Sequence, residues 1–267
     1  MAYNTPTEVS PATQDDLVCI LAWLEREYDE DGGDGFWCNR GVIGDAFDEP
    51  GNLWVIRRDG EAVAFQVGEY AASIISVRKD HRRSGLATSF VEASIKRAKT
   101  ADVNVLSVQC APEASFTFWK RMGFEKYHDC RRPNELRVRR VLPRTVDLPA
   151  NSSPIEVIVG FYPEKATYHD GQDTPPIAEH RVAGFRDLDG SILLERRVIG
   201  LCHDEPDCRD LAIKIEVNGV VRCFGKAKHQ AAEDAGVRRD SIGGTFFLDR
   251  LKPSVGAENE HTAKARC

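Results

Sequence analysis

The sequence lacks several things, and each lack narrows the reading. It holds no run of about 18 apolar residues, the length a helix needs to cross a bilayer, so no membrane span is expected. The opening MAYNTPTEVSPATQDD has no basic-then-apolar leader pattern, and a cytoplasmic location is the expectation. Neither half carries an excess of Lys and Arg: 20 basic residues face 23 acidic ones up to Ala150, and 16 face 19 beyond it. Nonspecific nucleic-acid binding draws on such an excess and is disfavoured. The eight cysteines include no CxxC pair, and in a reducing compartment they read as free thiols. Cys202 and His203 with Cys208 and Cys223 have zinc-like donor chemistry, but thiols buried in strands account for them better, and no metal is expected.

What is present is ordinary globular material. Hydrophobic residues make up 42% and charged residues 29% of 267 positions, enough for packed cores in two domains. The densest pattern runs from Ala71 to Phe124. Ala72 to Val77 is small, apolar or β-branched, as a buried strand would be. A charged connection follows, and Gly85 opens a helix whose stripe is Ala87, Val91, Ile95 and Ala98, with Phe90 beside it. A helix start has unpartnered N–H groups and a mildly positive end, and a glycine there lets an anion approach closely. Arg82 and Arg83 add cationic attraction, so a phosphate or pyrophosphate cradle is one reading of Arg82-Arg83-Ser84-Gly85-Leu86-Ala87, beside plain turn chemistry.

Other segments fall into place around that stretch. Ser10 to Tyr28 reads as an N-capped helix with Leu17, Ile20, Leu21 and Leu24 on one face. An acidic glycine-rich loop, Asp29 to Gly35, ends it, and a second short helix spans Arg40 to Phe47. Leu53 to Arg57 and Ala62 to Val67 read as a hairpin about Arg58-Asp59-Gly60. A strand at Val103 to Val108, a helix at Glu113 to Met122, and strands at Phe124 to His128 and Glu135 to Val141 complete the first half. Pro143 to Pro154 is a linker by composition. The second half has five strand patterns from Ile155 to Phe224, a helix at Lys226 to Ala235, a strand at Gly244 to Leu251, and a tail from Lys252 expected to be disordered. The domain expectation is therefore 1–143, a linker at 144–154, a mainly β domain at 155–252, and a tail. His180, Glu179 and Asp187 in that β domain form no convincing constellation.

Two motifs in order carry a resemblance. Val77, Arg82, Gly85 and Ala87 fill the pattern Arg/Gln-x-x-Gly-x-Gly/Ala after a strand ending in Val. About thirty residues on, Leu106-Ser107-Val108, Phe118-Trp119 and Gly123-Phe124 fill a strand followed by a helix ending aromatic-aromatic-x-x-x-Gly-Phe. The stretch from about residue 8 to 142 thus resembles the GNAT N-acetyltransferase superfamily. The resemblance implies an α+β or α/β fold, a mixed and mostly antiparallel sheet flanked by helices, followed here by a smaller mainly β domain. It implies acetyl-CoA as co-substrate and transfer of an acetyl group to a primary amine of a small molecule or protein. A non-catalytic acyl-CoA sensor is the alternative, and a toxin acetylating aminoacyl-tRNA the third reading. Cofactor-binding residues would be Ile75, Val77, Arg82, Arg83, Ser84, Gly85, Leu86, Ala87, Thr88 and Phe118. The acceptor would meet Glu25, Tyr28 and Trp37, and the acidic loop would steer a cationic amine. Catalytic candidates are Glu69, Tyr127 and Glu25, with Cys110 and Ser115 as substitutes. The family's carboxylate near the start of the strand is replaced by Ala71 and Ala72, and its tyrosine in the aromatic pair by Trp119, which has only an indole N–H to donate. Arg131, Arg132, Arg137, Arg139, Arg140 and Arg144 would grip the 3′-phosphate of CoA or an acidic partner, or else protect a solvated edge strand, the favoured reading. Self-association through the second domain is a further expectation.

Overall fold

The protein is described by a computed structural model covering residues 8–33, 35–129, 132–150, 152–168, 174–201, 211–240 and 245–253. It divides into two compact units. The first comprises Met1–Asp102, Leu106–Lys126 and Leu136–Arg140, and the second Val103–Val105, Tyr127–Glu135 and Val141–Cys267.

The first unit begins with a short strand, β1 (Ser10–Pro11), and α1 (Gln14–Glu30). Ser10 therefore does not cap the helix; it pairs with Val55 in a sheet. The cap is Thr13, whose hydroxyl accepts from Asp16 N while Asp16 Oδ2 accepts from Thr13 N at 2.7 Å. This reciprocal box satisfies two orphan donors at once, and Pro11 keeps the preceding residues extended. A 3₁₀ turn (Phe36–Asn39) leads into α2 (Arg40–Asp48). Strands β2 (Leu53–Arg58), β3 (Glu61–Val67) and β4 (Ile74–Val77) follow, making an antiparallel sheet in the order β1-β2-β3-β4. Asp59 and Gly60 both have positive φ, 51° and 84°, as the tight hairpin between β2 and β3 requires.

β3 is buried on both faces from Ala62 to Val67. On one side Leu17, Ile20, Trp23 and Leu24 of α1 pack with Val55 and Phe65. On the other side α3 (Leu86–Thr100) places Leu86 and Phe90 against Ile56, Val63 and Ala64. The buried face of α3 is Leu86, Phe90, Val91, Ser94 and Ala98. Ala87 and Ile95 are only half-buried, so the stripe is rotated from the apolar reading. A polar pair explains it: Ser94 enters the core because its hydroxyl bonds the fully buried Gln66 amide, at 2.8 Å.

β5 (Val105–Gln109), α4 (Phe116–Arg121), β6 (Glu125–Tyr127) and β7 (Arg137–Val141) follow, and β5-β7-β6 is a separate three-stranded sheet. The strand expected from Ala72 starts two residues later, and the helix expected from Glu113 begins with a 3₁₀ turn (Glu113–Ser115) before α4. β4 pairs with β3 along one edge, and among the described residues no strand pairs with its other edge.

The second unit is dominated by a seven-stranded antiparallel sheet. Its strands are β8 (Pro154–Pro163), β9 (Ala178–Arg186), β10 (Ile192–Gly200), β11 (Leu211–Val217), β12 (Val220–Lys226), β13 (Arg238–Arg239) and β14 (Phe246–Leu251), ordered β12-β11-β8-β9-β10-β14-β13. Asn218 and Gly219, with φ of 48° and 77°, form the hairpin between β11 and β12. One face buries Val157, Val159, Phe161, Ile213, Ile215 and Leu248 with the short α5 (Gln230–Ala235). Within the stretch read as a linker, Thr145 bridges to Arg196, and Arg144 O accepts from Arg197 N at 3.3 Å. Glu179 pairs with Arg181, Asp187 pairs with Arg250, and His180 packs edge-on against Phe161, so each is engaged separately. Cys202, His203, Cys208 and the tail beyond Pro253 lie outside the described residues; Cys223 is buried and points at Ala231 O.

Candidate functional site

The first unit holds a cleft of about 730 Å³ between the open edge of β4, the start of α3 and α4. Its floor is Ile75, Ser76 and Val77. His81, Arg82, Arg83, Gly85, Leu86, Ala87 and Thr88 form one wall, and Phe118, Arg121, Met122 and Phe36 close the other side.

The wall is built by backbone geometry. After β4 a 3₁₀ turn (Lys79–His81) leads to an extended Arg82. Arg83 (φ 62°) and Gly85 (φ 86°) then take left-handed conformations, so the chain turns sharply into α3. A Cβ placed on Gly85 would meet no atom within 4 Å, so the space above its backbone is open. The N–H of Arg82 is returned to Lys79 O, and the next paired N–H is that of Ser89, bonded to Gly85 O at 3.1 Å. The six N–H groups from Arg83 to Thr88 therefore have no acceptor within the described protein. Donors fanned around a glycine at a helix start suit an anion with several oxygens. Arg83 and Arg121 reach this cleft without an ion pair among the described residues, leaving two cations for such an anion. These observations fit a diphosphate.

Arg82 plays a different part from the one its motif position suggests. Its Nε donates to Val77 O at 2.9 Å and its Nη2 to Glu27 Oε2 at 3.0 Å. The other Glu27 oxygen accepts from Lys79 N at 2.7 Å. Glu27 is buried on α1, and Lys79 Nζ reaches Asp31 just beyond it at 2.6 Å. A single buried carboxylate thus ties α1 to both ends of the turn. Sequence reading missed Glu27; it lies 55 residues from Arg82, and no local pattern links the two.

The expected residues divide accordingly. Ile75, Val77, Arg82, Arg83, Gly85, Leu86, Ala87, Thr88 and Phe118 line the cleft together. Ser84 is beside it, its hydroxyl donating to His81 O. In the aromatic pair Phe118 faces the cleft, while Trp119 is buried edge-on between Phe118 and Phe124, each 5.1 Å away. Glu25, Tyr28 and Trp37 are not among the lining residues. Glu25 is exposed on α1, Tyr28 packs beside Gly33, and Trp37 is half-buried under Arg40; its neighbour Phe36 reaches the cleft instead. Glu69 lines a different cleft, and Tyr127 falls in the second unit. Cys110 is buried off the cleft, where burial pushes its thiol above its ordinary range. Arg140 is turned to Met122 O, Arg132 pairs with Glu135, and Arg131 is outside the described residues.

Comparison with known proteins adds the following. Residues 56–133 match the family model described as FR47-like protein. No curated protein matches the chain. Among solved structures, N-acetylglutamate synthase from Neisseria gonorrhoeae, complexed with coenzyme A and N-acetyl-glutamate, superposes with a TM-score of 0.41 at 15% identity, covering 54% of this chain and 37% of that one. A GNAT-family acetyltransferase from Listeria monocytogenes gives 0.42 at 13% identity, over 51% of this chain and 95% of its own. Ard1 from Thermoplasma volcanium gives 0.41 at 15% identity, over 52% and 99%. This chain spans about a third of the length of the Neisseria synthase.

Proposed function

We propose, from the FR47-like match at residues 56–133 and the cleft built mostly from it, that the protein moves an acetyl group from acetyl-CoA to a primary amine of a small molecule or protein. One observation carries the reading: the six unpartnered N–H groups from Arg83 to Thr88, arranged about an open glycine beside an unpaired strand edge. Acetyl-CoA supplies the activated thioester carbonyl. The N–H groups and Arg83 would hold its diphosphate, and the outer edge of Ile75–Val77 would offer backbone partners to the pantetheine amides. A backbone N–H on that edge aimed at the thioester oxygen would stabilise the charge that develops there. Phe118 and Met122 give that side of the cleft apolar surface beside Arg121.

Among the described residues no carboxylate, tyrosine or cysteine lines the cleft; its titratable side chains there are His81 and three arginines. Arg78 Nη2 faces His81 Nε2 at 2.9 Å, so that nitrogen accepts and the ring proton sits on Nδ1. Rate enhancement would then rest largely on holding thioester and amine together, a contribution of about 7–11 kcal/mol when alignment is good. The same lack of acid and base groups favours the second reading, a non-catalytic acyl-CoA sensor. Thiol release from acetyl-CoA across an amine panel, measured beside acetyl-CoA binding by calorimetry, separates the two. Turnover on any amine supports the transferase; tight binding with none supports the sensor. Absence of both overturns the cleft as a CoA site.

A further inference from the structure

A second cleft of the first unit has its own built centre. It measures about 1020 Å³ and is lined by Trp54, Glu69, Tyr70, Glu92, Lys96 and Arg97, among others, none of which lines the first cleft. Arg97 stands at its middle on α3. Its guanidinium carbon lies 3.8 Å from the centre of the Trp54 ring. Nε donates to Glu69 O at 2.9 Å and Nη2 to Ser94 Oγ at 3.0 Å. Both acceptors are neutral. Among the described residues Arg97 forms no ion pair and its Nη1 donates to nothing.

The guanidinium is also held rigidly. Ser94 is bonded to Gln66, which is fully buried and donates to Gly68 O at 2.8 Å. The Trp54 ring is pinned by its own N–H to Gly51 O at 2.7 Å. Gly68 cannot be replaced without collision, since a Cβ there would lie 2.2 Å from Ala71 O, and this close turn leads into Glu69 and Tyr70. Desolvation lowers the Arg97 pKa to about 10. Glu69 and Tyr70 offset part of that loss through space, and a desolvated charge with no hydrogen-bonded counter-ion is costly. Arginine's planar fork suits a carboxylate bidentately. The nearby Glu69 carboxylate acts on Arg97 only through space and forms no ion pair with it among the described residues.

We propose that this cleft binds a small molecule through a carboxylate seated on Arg97, with Trp54 and Tyr70 as its aromatic walls and Lys96 at its rim. The site is independent of the acetyl-CoA reading. It lies further along α3, whose first residues line the other cleft.

The test uses the full chain, with L-glutamate, succinate and citrate as carboxylate probes and inorganic phosphate as the control anion, measured by calorimetry. At least one carboxylate is expected to bind saturably with a Kd below about 1 mM, and more tightly than phosphate. Arg97→Gln should weaken that binding about tenfold or more, the scale of one charge-assisted hydrogen bond. Arg97→Lys keeps the charge but loses the fork, and should also bind less tightly; it guards against a folding defect in the first variant, with circular dichroism confirming the fold of both. Absence of saturable binding by all three carboxylates overturns the proposal. So does phosphate binding equally well, or unchanged affinity in both folded variants.

Discussion

The carboxylate of Glu27 bonds Arg82 Nη2 at 3.0 Å and Lys79 N at 2.7 Å, so a helix that does not line the cleft braces the turn between β4 and α3. Glu27→Gln keeps the volume and removes the charge, leaving an Arg82 head with a weaker partner. The expected result is acetyl-CoA binding weakened about tenfold, the scale of one charge-assisted bond, with thermal stability close to the parent's. Calorimetry on the two proteins checks it; equal affinity would show that the turn holds its form without this tie.

Gly85 sits at φ 86°, where an L side chain is strained. Gly85→Ala should cost about 1 kcal/mol of stability, with a modest loss of affinity. Gly85→Glu places a negative charge where the diphosphate would lie and should abolish acetyl-CoA binding. Denaturant titration and calorimetry read the two effects separately, and full retention of affinity in the glutamate variant would remove the proposed site.

The neighbouring aromatics should behave oppositely. Trp119 is buried in the core, and Trp119→Ala should destabilise the first unit by about 3–5 kcal/mol. Phe118 faces the cleft, and Phe118→Ala should weaken acetyl-CoA binding with a much smaller change in melting temperature. Loss of stability in both alike would mean that Phe118 belongs to the core.

Asp16 supplies a pH dependence. Burial acts to raise its pKa, but bonds from Arg57 and Thr13 outweigh it, and the folded carboxyl titrates below its ordinary value of 3.8. Its contribution is thus complete above the unfolded pKa of about 3.9 and lost as pH falls through the lower folded value. Asp16→Asn should be less stable at neutral pH and show a smaller further loss as the pH falls below about 4. Acid denaturation followed by circular dichroism reads the difference; parallel curves would mean Asp16 is not the group responsible.

What the sequence disclosed follows from the range of the interactions involved. The β4–turn–α3 segment was legible because Val77, Arg82, Gly85 and Ala87 do their work within ten residues, through backbone geometry that a glycine announces. The box at Thr13 and Asp16 was equally local, yet Ser10 looked like the earlier cap because its pairing with Val55 is not visible along the chain. The rotation of α3 depends on Gln66, 28 residues from Ser94, and the latch on Glu27 depends on Arg82, 55 residues away. Polar partnerships of that reach leave no periodic mark. The acceptor side was the least legible: Phe36 and Trp37 both pack against the α1 core, yet only Phe36 lines the cleft, because one 3₁₀ turn points the two rings apart.

The outer edge of β4 has a colloidal consequence. An uncapped strand is a template on which a second chain can crystallise into a growing sheet. Here only four residues, Ile74–Val77, are offered, and Arg78 and Lys79 come directly after them. Brevity and flanking charge keep this open edge a poor template for a second copy.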